Sequence, residues 1–160
     1  MKNPCFILIT GASSGIGEAL AREYASPGIF LALCGRNQKR LNHVASYCRN
    51  KGAKVSAKVV DVTDQHGMAE WLKTLDAKHP LDMIIANAGI AGDSGAISSN
   101  LDEALTRNIF NVNIYGLINT IFPVIANMRQ RKRGQIALVS SIAGFRGLPS
   151  APAYSASKAL

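Results

Sequence analysis

Short apolar runs recur along this chain, each followed by a stretch in which apolar residues return at helical spacing. The strand-like runs are residues 5–10, 29–34, 54–60, 81–86 and 135–140. Helical patterns occupy residues 16–25, 38–50, 65–77 and a long stretch from about 101 to 129. In the first helical pattern Ile16, Leu20 and Tyr24 recur one turn apart and predict an inward face. Strand, helix and strand repeated with short connections predict a parallel sheet covered on both faces. Right-handed crossovers then leave a doubly wound, Rossmann-like α/β sheet as the expected fold. Pro123 lies inside the long helical stretch and is expected to kink or divide it there. Residues 87–100, rich in Gly, Ser and Ala, read as a loop at the carboxyl end of the fourth strand, where such sheets hold their ligands.

Composition narrows the class without naming a chemistry. With 48% apolar and 18% charged residues over 160 positions, the chain reads as one globular domain spanning residues 1–160. No apolar run approaches the roughly 20 residues of a membrane helix. Residues 6–10 are too short for the apolar core of a signal peptide, so a cytoplasmic location is expected. Cys5, Cys34 and Cys48 show no CxxC spacing. Cys5 and Cys34 fall in expected strands and read as small buried hydrophobes rather than disulfide or metal ligands. His43, His66 and His79 are scattered, and no metal site is expected. The net charge of +8 raises nucleic acid as a partner. The densest basic run, residues 129–133, instead follows an apolar helical pattern and precedes Gly134, where solvated cations suit the negative end of a helix dipole. Neither nucleic acid nor membrane is therefore expected as a partner.

The first strand turns into the first helix through Thr10-Gly11-Ala12-Ser13-Ser14-Gly15-Ile16-Gly17. Gly11 allows a tight turn, Gly15 lets backbone approach a pyrophosphate, and Gly17 lets helix and strand pack closely. Free N–H groups and the helix dipole then face the phosphates, with Ser13, Ser14 and Ile16 beside them. The spacing is GxxxGxG. Further along come Asp61-Val62, Asn87-Ala88-Gly89, Asn113-Ile114-Tyr115-Gly116, Ser141 and Tyr154-Ser155-Ala156-Ser157-Lys158. In this order the motifs resemble the short-chain dehydrogenase/reductase family, with its TGxxxGxG turn, adenine-contacting pair, NAG, NxxG, serine and YxxxK. One departure is Ala86, where the family often carries a second asparagine before NAG; a change in local support at the sheet's end is expected there.

A dinucleotide with a free ribose 2′-hydroxyl calls for a carboxylate about 20 residues beyond the glycine turn. The second strand ends instead in Cys34-Gly35-Arg36. Gly35 leaves room for a 2′-phosphate, and Arg36 offers a planar cationic fork. The resemblance implies the same, since arginine here is common in NADP-preferring members. NADP(H) is the expected cofactor, with NAD(H), over which Arg36 would merely stack, as the alternative.

Tyr154 and Lys158 are four residues apart and share one face of a helix. A phenol is a poor acid or base at neutral pH, and an ammonium one turn away favours its ionised form. The resemblance implies that Tyr154 is the general acid/base, Lys158 tunes it and holds the nicotinamide ribose, and Ser141 hydrogen-bonds the substrate oxygen. It implies that Asn113 holds a water linking the lysine to solvent. Ser140 is the rival to Ser141, and the family's serine-to-tyrosine separation favours Ser141. The implied reaction is hydride transfer between the cofactor and a small carbonyl or alcohol.

The sequence runs two residues past Lys158. The resemblance implies two further strands, the segment touching the nicotinamide carboxamide, the loop over the substrate and much of an oligomer interface. Residues 1–160 are thus expected to be the NAD(P)-binding domain of a longer homo-oligomeric enzyme, C-terminally incomplete after YxxxK and inactive alone. A cofactor-binding fragment or sensor without turnover is the alternative. Residues 144–149 should border the substrate pocket, but they name no ligand.

Overall fold

The computed structural model of the chain describes residues 4–92 and 102–159; the latter part of the loop expected over residues 87–100 lies outside them. Strands β1 (Phe6–Ile9), β2 (Phe30–Gly35), β3 (Lys54–Val59), β4 (Met83–Ala86) and β5 (Gln135–Leu138) alternate with helices α1 (Gly15–Tyr24), α2 (Gln38–Asn50) and α3 (Gln65–Lys78). After β4 come α4 (Glu103–Phe110), a π-helical turn (Asn111–Tyr115) and α5 (Gly116–Gln130). After β5 come two short helices, α6 (Ile142–Phe145) and α7 (Pro152–Lys158). All pairings are parallel, in the order β3-β2-β1-β4-β5. This is the Rossmann-like α/β sheet expected from the apolar pattern, and its strand order reverses between β1 and β4.

Side-chain alternation along the strands builds two cores. Ile7, Ile9, Leu31, Leu33 and Ile85 face Ala21, Leu41, Val44 and Cys48 of α1 and α2. Phe6, Leu8, Ala32 and Ile84 face Met68, Leu72, Val124 and Met128 of α3 and α5. Each fully buried Leu or Ile contributes about 1.5–3 kcal/mol through removal from water. β5 is an edge strand among the described residues, and its Ile136 and Leu138 remain exposed.

Four expectations are corrected. Ile16 is 61% exposed rather than inward; the buried positions of α1 are Gly17 and Ala21, with Leu20 and Tyr24 partly covered. The helix start docks against the glycine turn so closely that a Cβ on Gly17 would strike the Gly11 carbonyl, and this turns Ile16 towards the cleft. The long helical stretch is not divided at Pro123, where α5 runs on unbroken. The ladder changes earlier, where the Gly116 N–H reaches back five residues to the Asn111 carbonyl. Pro123 costs one ladder bond, while Ile121 and Val124 beside it are buried. Cys5 lies exposed ahead of β1, which starts at Phe6; Cys34 and Cys48 are buried.

The basic run is the fourth correction, because it is not merely a solvated helix end. Arg131 donates to both oxygens of Asp76 at 3.0 Å and to the Leu81 carbonyl at 2.7 Å, and Arg133 pairs with Asp82 at 2.8 Å. These bonds tie the end of α5 to the end of α3 and the entry to β4. Together Glu103–Gln130 are long enough and, over an 18-residue window of mean hydropathy 1.5, apolar enough to cross a membrane by length and composition. No such run was expected from the sequence, since Asn and Thr residues interrupt it. Their side chains are used inside the fold: Asn113, Asn119 and Thr120 are buried and hydrogen-bonded.

Candidate active site

The loops leaving β1 and β4 part at the reversal of strand order and open a cleft of about 680 Å³ at the carboxyl edge of the sheet. Its floor is the glycine turn. Gly11 (φ +65°) and Gly15 (φ +56°) adopt left-handed backbone that other residues avoid. A Cβ on Gly17 would also lie 2.6 Å from Asn87 Nδ2, so helix, turn and β4 loop meet with no room for a side chain. Thr10 Oγ1 accepts from the backbone N–H groups of Asn87 (3.1 Å) and Ala88 (3.0 Å), and Asn87 Nδ2 donates to the Thr10 carbonyl (2.9 Å). Ser14 caps α1 by position without a side-chain bond to the helix, and Ser13, Ser14, Gly15 and Ile16 line the cleft. The start of α1 therefore offers donors and a positive dipole end to an anion.

At one end of the cleft stand Gly35, Arg36, Asn37, Arg40, Asp61 and Val62. A Cβ on Gly35 would come within 2.9 Å of Ser13 Oγ, so a side chain here would have to displace that of Ser13. Arg36 Nη1 lies 3.6 Å from Asp61 Oδ2. The pair is open to solvent and adds little stability. The other carboxylate oxygen of Asp61 accepts from the N–H and Oγ1 of Thr63, both at 2.9 Å. Val62 is buried against Gly116 at the start of α5.

At the opposite end Tyr154 and Lys158 of α7 both reach the cleft, with Lys158 Nζ 5.9 Å from the centre of the Tyr154 ring. Lys158 Nζ donates to the Val139 carbonyl at 2.8 Å, and burial pushes the amine below the ordinary lysine range. Ser140 lines the cleft and donates to the Lys158 carbonyl at 2.7 Å. Ser141 caps α6, accepting from Ala143 N–H at 3.1 Å, which leaves its own proton for another partner. Asn113 is buried in the π-helical turn. Its Oδ1 accepts from Ile90 N–H (2.8 Å), and its Nδ2 donates to the Ile90 carbonyl (2.9 Å) and Ser157 Oγ (2.8 Å). Both amide hydrogens are thereby used, and the side chain ties the β4 loop to α7.

The fold thus gathers Gly11, Ser13, Ser14, Gly15, Ile16, Arg36, Asp61, Val62, Asn87, Ala88, Gly89, Tyr154 and Lys158 around one cleft. Gly17, Asn113 and Ser141 are not among the residues that line it. Sequence reasoning missed one contributor, Arg40, and did not foresee the bonds made by Thr10 and Ser140. Arg40 signals itself only as a cation one helical turn after Arg36. Thr10 and Ser140 give no signal beyond a hydroxyl at a strand's end.

Comparison with known proteins agrees with this fold. The family described as short chain dehydrogenase matches residues 5–160. An uncharacterized oxidoreductase of Myxococcus xanthus is 39% identical over 153 residues, covering 95% of this chain and 60% of that protein. A 3-ketoacyl-ACP reductase from Sinorhizobium meliloti superposes with a TM-score of 0.85 at 36% identity, over 96% of this chain and 61% of the other. An NAD⁺-bound xylitol dehydrogenase superposes at 0.88 with 26% identity, over 96% and 59%. The chain spans about three fifths of the length of these relatives.

Proposed function

The chain belongs to the short-chain dehydrogenase family of oxidoreductases, and on that premise we propose that it serves NADP(H)-dependent interconversion of a small-molecule carbonyl and alcohol, with Tyr154 as general acid/base. The observation that carries this reading is one continuous cleft, with the glycine turn and Arg36 towards one end and Tyr154 with Lys158 at the other. The residues present fit a phosphorylated dinucleotide. The turn admits backbone N–H groups to a pyrophosphate, no carboxylate immediately follows β2, and Arg36 supplies a guanidinium fork there. The nicotinamide, when bound, exchanges a hydride with the carbonyl carbon. Tyr154 gives its hydroxyl proton to the substrate oxygen or takes one back. Lys158, with its Nζ 5.9 Å from the centre of the Tyr154 ring, is positioned to bond a ribose hydroxyl. Ser141 donates its free hydroxyl proton to the same substrate oxygen and stabilises charge developing there.

The test is a titration with NADPH and with NADH, followed by nicotinamide fluorescence, together with turnover of a panel of aldehydes and ketones by wild type and Tyr154→Phe. NADPH binds more tightly than NADH, and Tyr154→Phe loses about 10²–10⁴-fold in turnover while its NADPH affinity stays within about twofold. Equal or tighter NADH binding refutes the cofactor assignment, and retained turnover in Tyr154→Phe refutes the role of the tyrosine.

A further inference from the structure

A second cavity, of about 390 Å³, opens between the β3–α3 connection and the long helix that follows β4. Thr63, Gln65, Asn111, Tyr115 and Asn119 line it, and it shares none of them with the dinucleotide cleft. Helical spacing brings three of these together. Asn111 and Tyr115 are the first and last residues of the π-helical turn, and Asn119 follows one turn later on α5. Single π-helical turns inside longer helices frequently mark functional sites. This one turns Asn113 inward to Ile90 and Ser157, while its two ends border the cavity.

The cavity wall holds polar atoms with unused bonding capacity. Asn119 is only 9% exposed, and its Nδ2 donates to the Val62 carbonyl at 2.9 Å. Its Oδ1 receives no hydrogen bond among the described residues. No polar side-chain atom sealed from solvent lacks a partner there, so this oxygen opens on the cavity. Thr63 Oγ1 gives its proton to Asp61 at 2.9 Å and keeps its lone pairs. The amides of Gln65 and Asn111 and the phenol of Tyr115 are exposed and bond to no described residue.

No charged side chain lines the cavity, so an ion entering it loses water and meets no counter-charge. Amides and a phenol both donate and accept. Hydroxyl groups complement them, because each does the same and rotates to suit. The ring of Tyr115, a residue 58% exposed, adds an apolar surface for carbon-bound hydrogens. We propose that this cavity binds a neutral polyhydroxylated molecule, a sugar or polyol, at a site separate from the dinucleotide cleft. The two sites are close, since Val62 and Val112 line the cleft while their neighbours Thr63 and Asn111 line the cavity. Binding is therefore located by variants at both.

Calorimetric titration with methyl α-D-glucoside, sorbitol and myo-inositol tests the site; none of the three carries a carbonyl for the cleft to reduce. Wild type, Gln65→Ala, Tyr115→Ala and Tyr154→Phe are compared. Gln65 and Tyr115 are exposed, so their variants keep the fold, and circular dichroism checks this. At least one of the three probes binds wild type saturably, with a dissociation constant of about 1 mM or below. Gln65→Ala and Tyr115→Ala each weaken it about fivefold or more, the loss expected for a hydrogen bond, and Tyr154→Phe leaves it within about twofold. D-Glucuronate and D-glucosamine, which add a charge of either sign, bind at least about tenfold more weakly than the neutral probe. No saturable binding of any probe up to about 50 mM overturns the site. Binding that Tyr154→Phe abolishes, or that Gln65→Ala and Tyr115→Ala both leave unchanged, lies elsewhere and overturns it too. Equal binding of the charged sugars overturns the ligand class. None of these outcomes depends on which dinucleotide the cleft holds.

Discussion

Replacing Thr10 by valine tests whether the cleft is built by one hydroxyl. Thr10 is fully buried at the end of β1, and its Oγ1 accepts both the Asn87 and the Ala88 N–H groups. Valine keeps the shape and the strand preference and puts a methyl where the acceptor was. Two partly buried backbone donors then face hydrocarbon. Each unmet donor costs about 1–3 kcal/mol, and since both are only partly buried the lower part of that range applies, giving about 2–4 kcal/mol in total. With a urea slope near 2 kcal/mol per molar for a small protein, the unfolding midpoint falls by about 1–2 M. Thr10→Ser keeps the acceptor and loses only a methyl group, about 1 kcal/mol. The assay is urea denaturation of the three proteins, followed by circular dichroism, with NADPH titrated below the transition. Because Asn87, Ala88 and Gly89 line the cleft, Thr10→Val also weakens NADPH binding. A valine midpoint within about 0.3 M of the serine variant at equal slope refutes the reasoning.

Two further perturbations follow from the same geometry. Burial pushes the Asp76 carboxyl up, but bonds from Arg131, the Leu81 N–H and Asn127 outweigh it and hold the group below its usual range. Its contribution is therefore complete above the unfolded value of about 3.9 and disappears as pH falls through the lower folded value. Thermal melts from pH 6 to pH 2 show wild type losing stability below about pH 4, and Asp76→Asn removes part of that slope. Arg131→Leu strands the carboxylate and costs about 3–5 kcal/mol at neutral pH; a cost below about 1 kcal/mol means that the pair is not holding α3 to α5. Gly17→Ala drives a methyl into Gly11 and Asn87. It weakens NADPH binding at least about tenfold, read by fluorescence titration, and an unchanged affinity shows that the turn can open without loss.

The sheet was legible because its information is local. Apolar runs of strand length, helices of matching phase and a fixed crossover hand leave few alternatives. The glycine turn was legible for the same reason, since it lies on adjacent residues. What the pattern hides comes from distant neighbours. Ile16 scores as a buried position on any helical wheel, and only the docking of Gly17 onto Gly11 turns it outward. Pro123 looks like the place where the long helix should break, yet the irregular turn sits where Asn113 is bonded to Ile90 and Ser157. Arg131 and Arg133 look solvated until their carboxylates, 55 and 51 residues away in the chain, are brought beside them.

The same distinction explains how so short an element as α7 can carry Tyr154 and Lys158. Seven residues do not hold a helix in water by themselves, because nucleation costs more than one or two turns return. Here the helix is fastened from both flanks. Asn113 bonds Ser157 on one side, while Ser140 bonds the Lys158 carbonyl and Lys158 Nζ bonds Val139 on the other. Gly144 of α6 lies so close beneath that a Cβ there would strike the Lys158 carbonyl, and so the two helices meet backbone to backbone. Each bond joins segments at least 18 residues apart. The motif names the two side chains, but their placement depends on hydroxyls and an amide that look, in sequence, like ordinary turn formers.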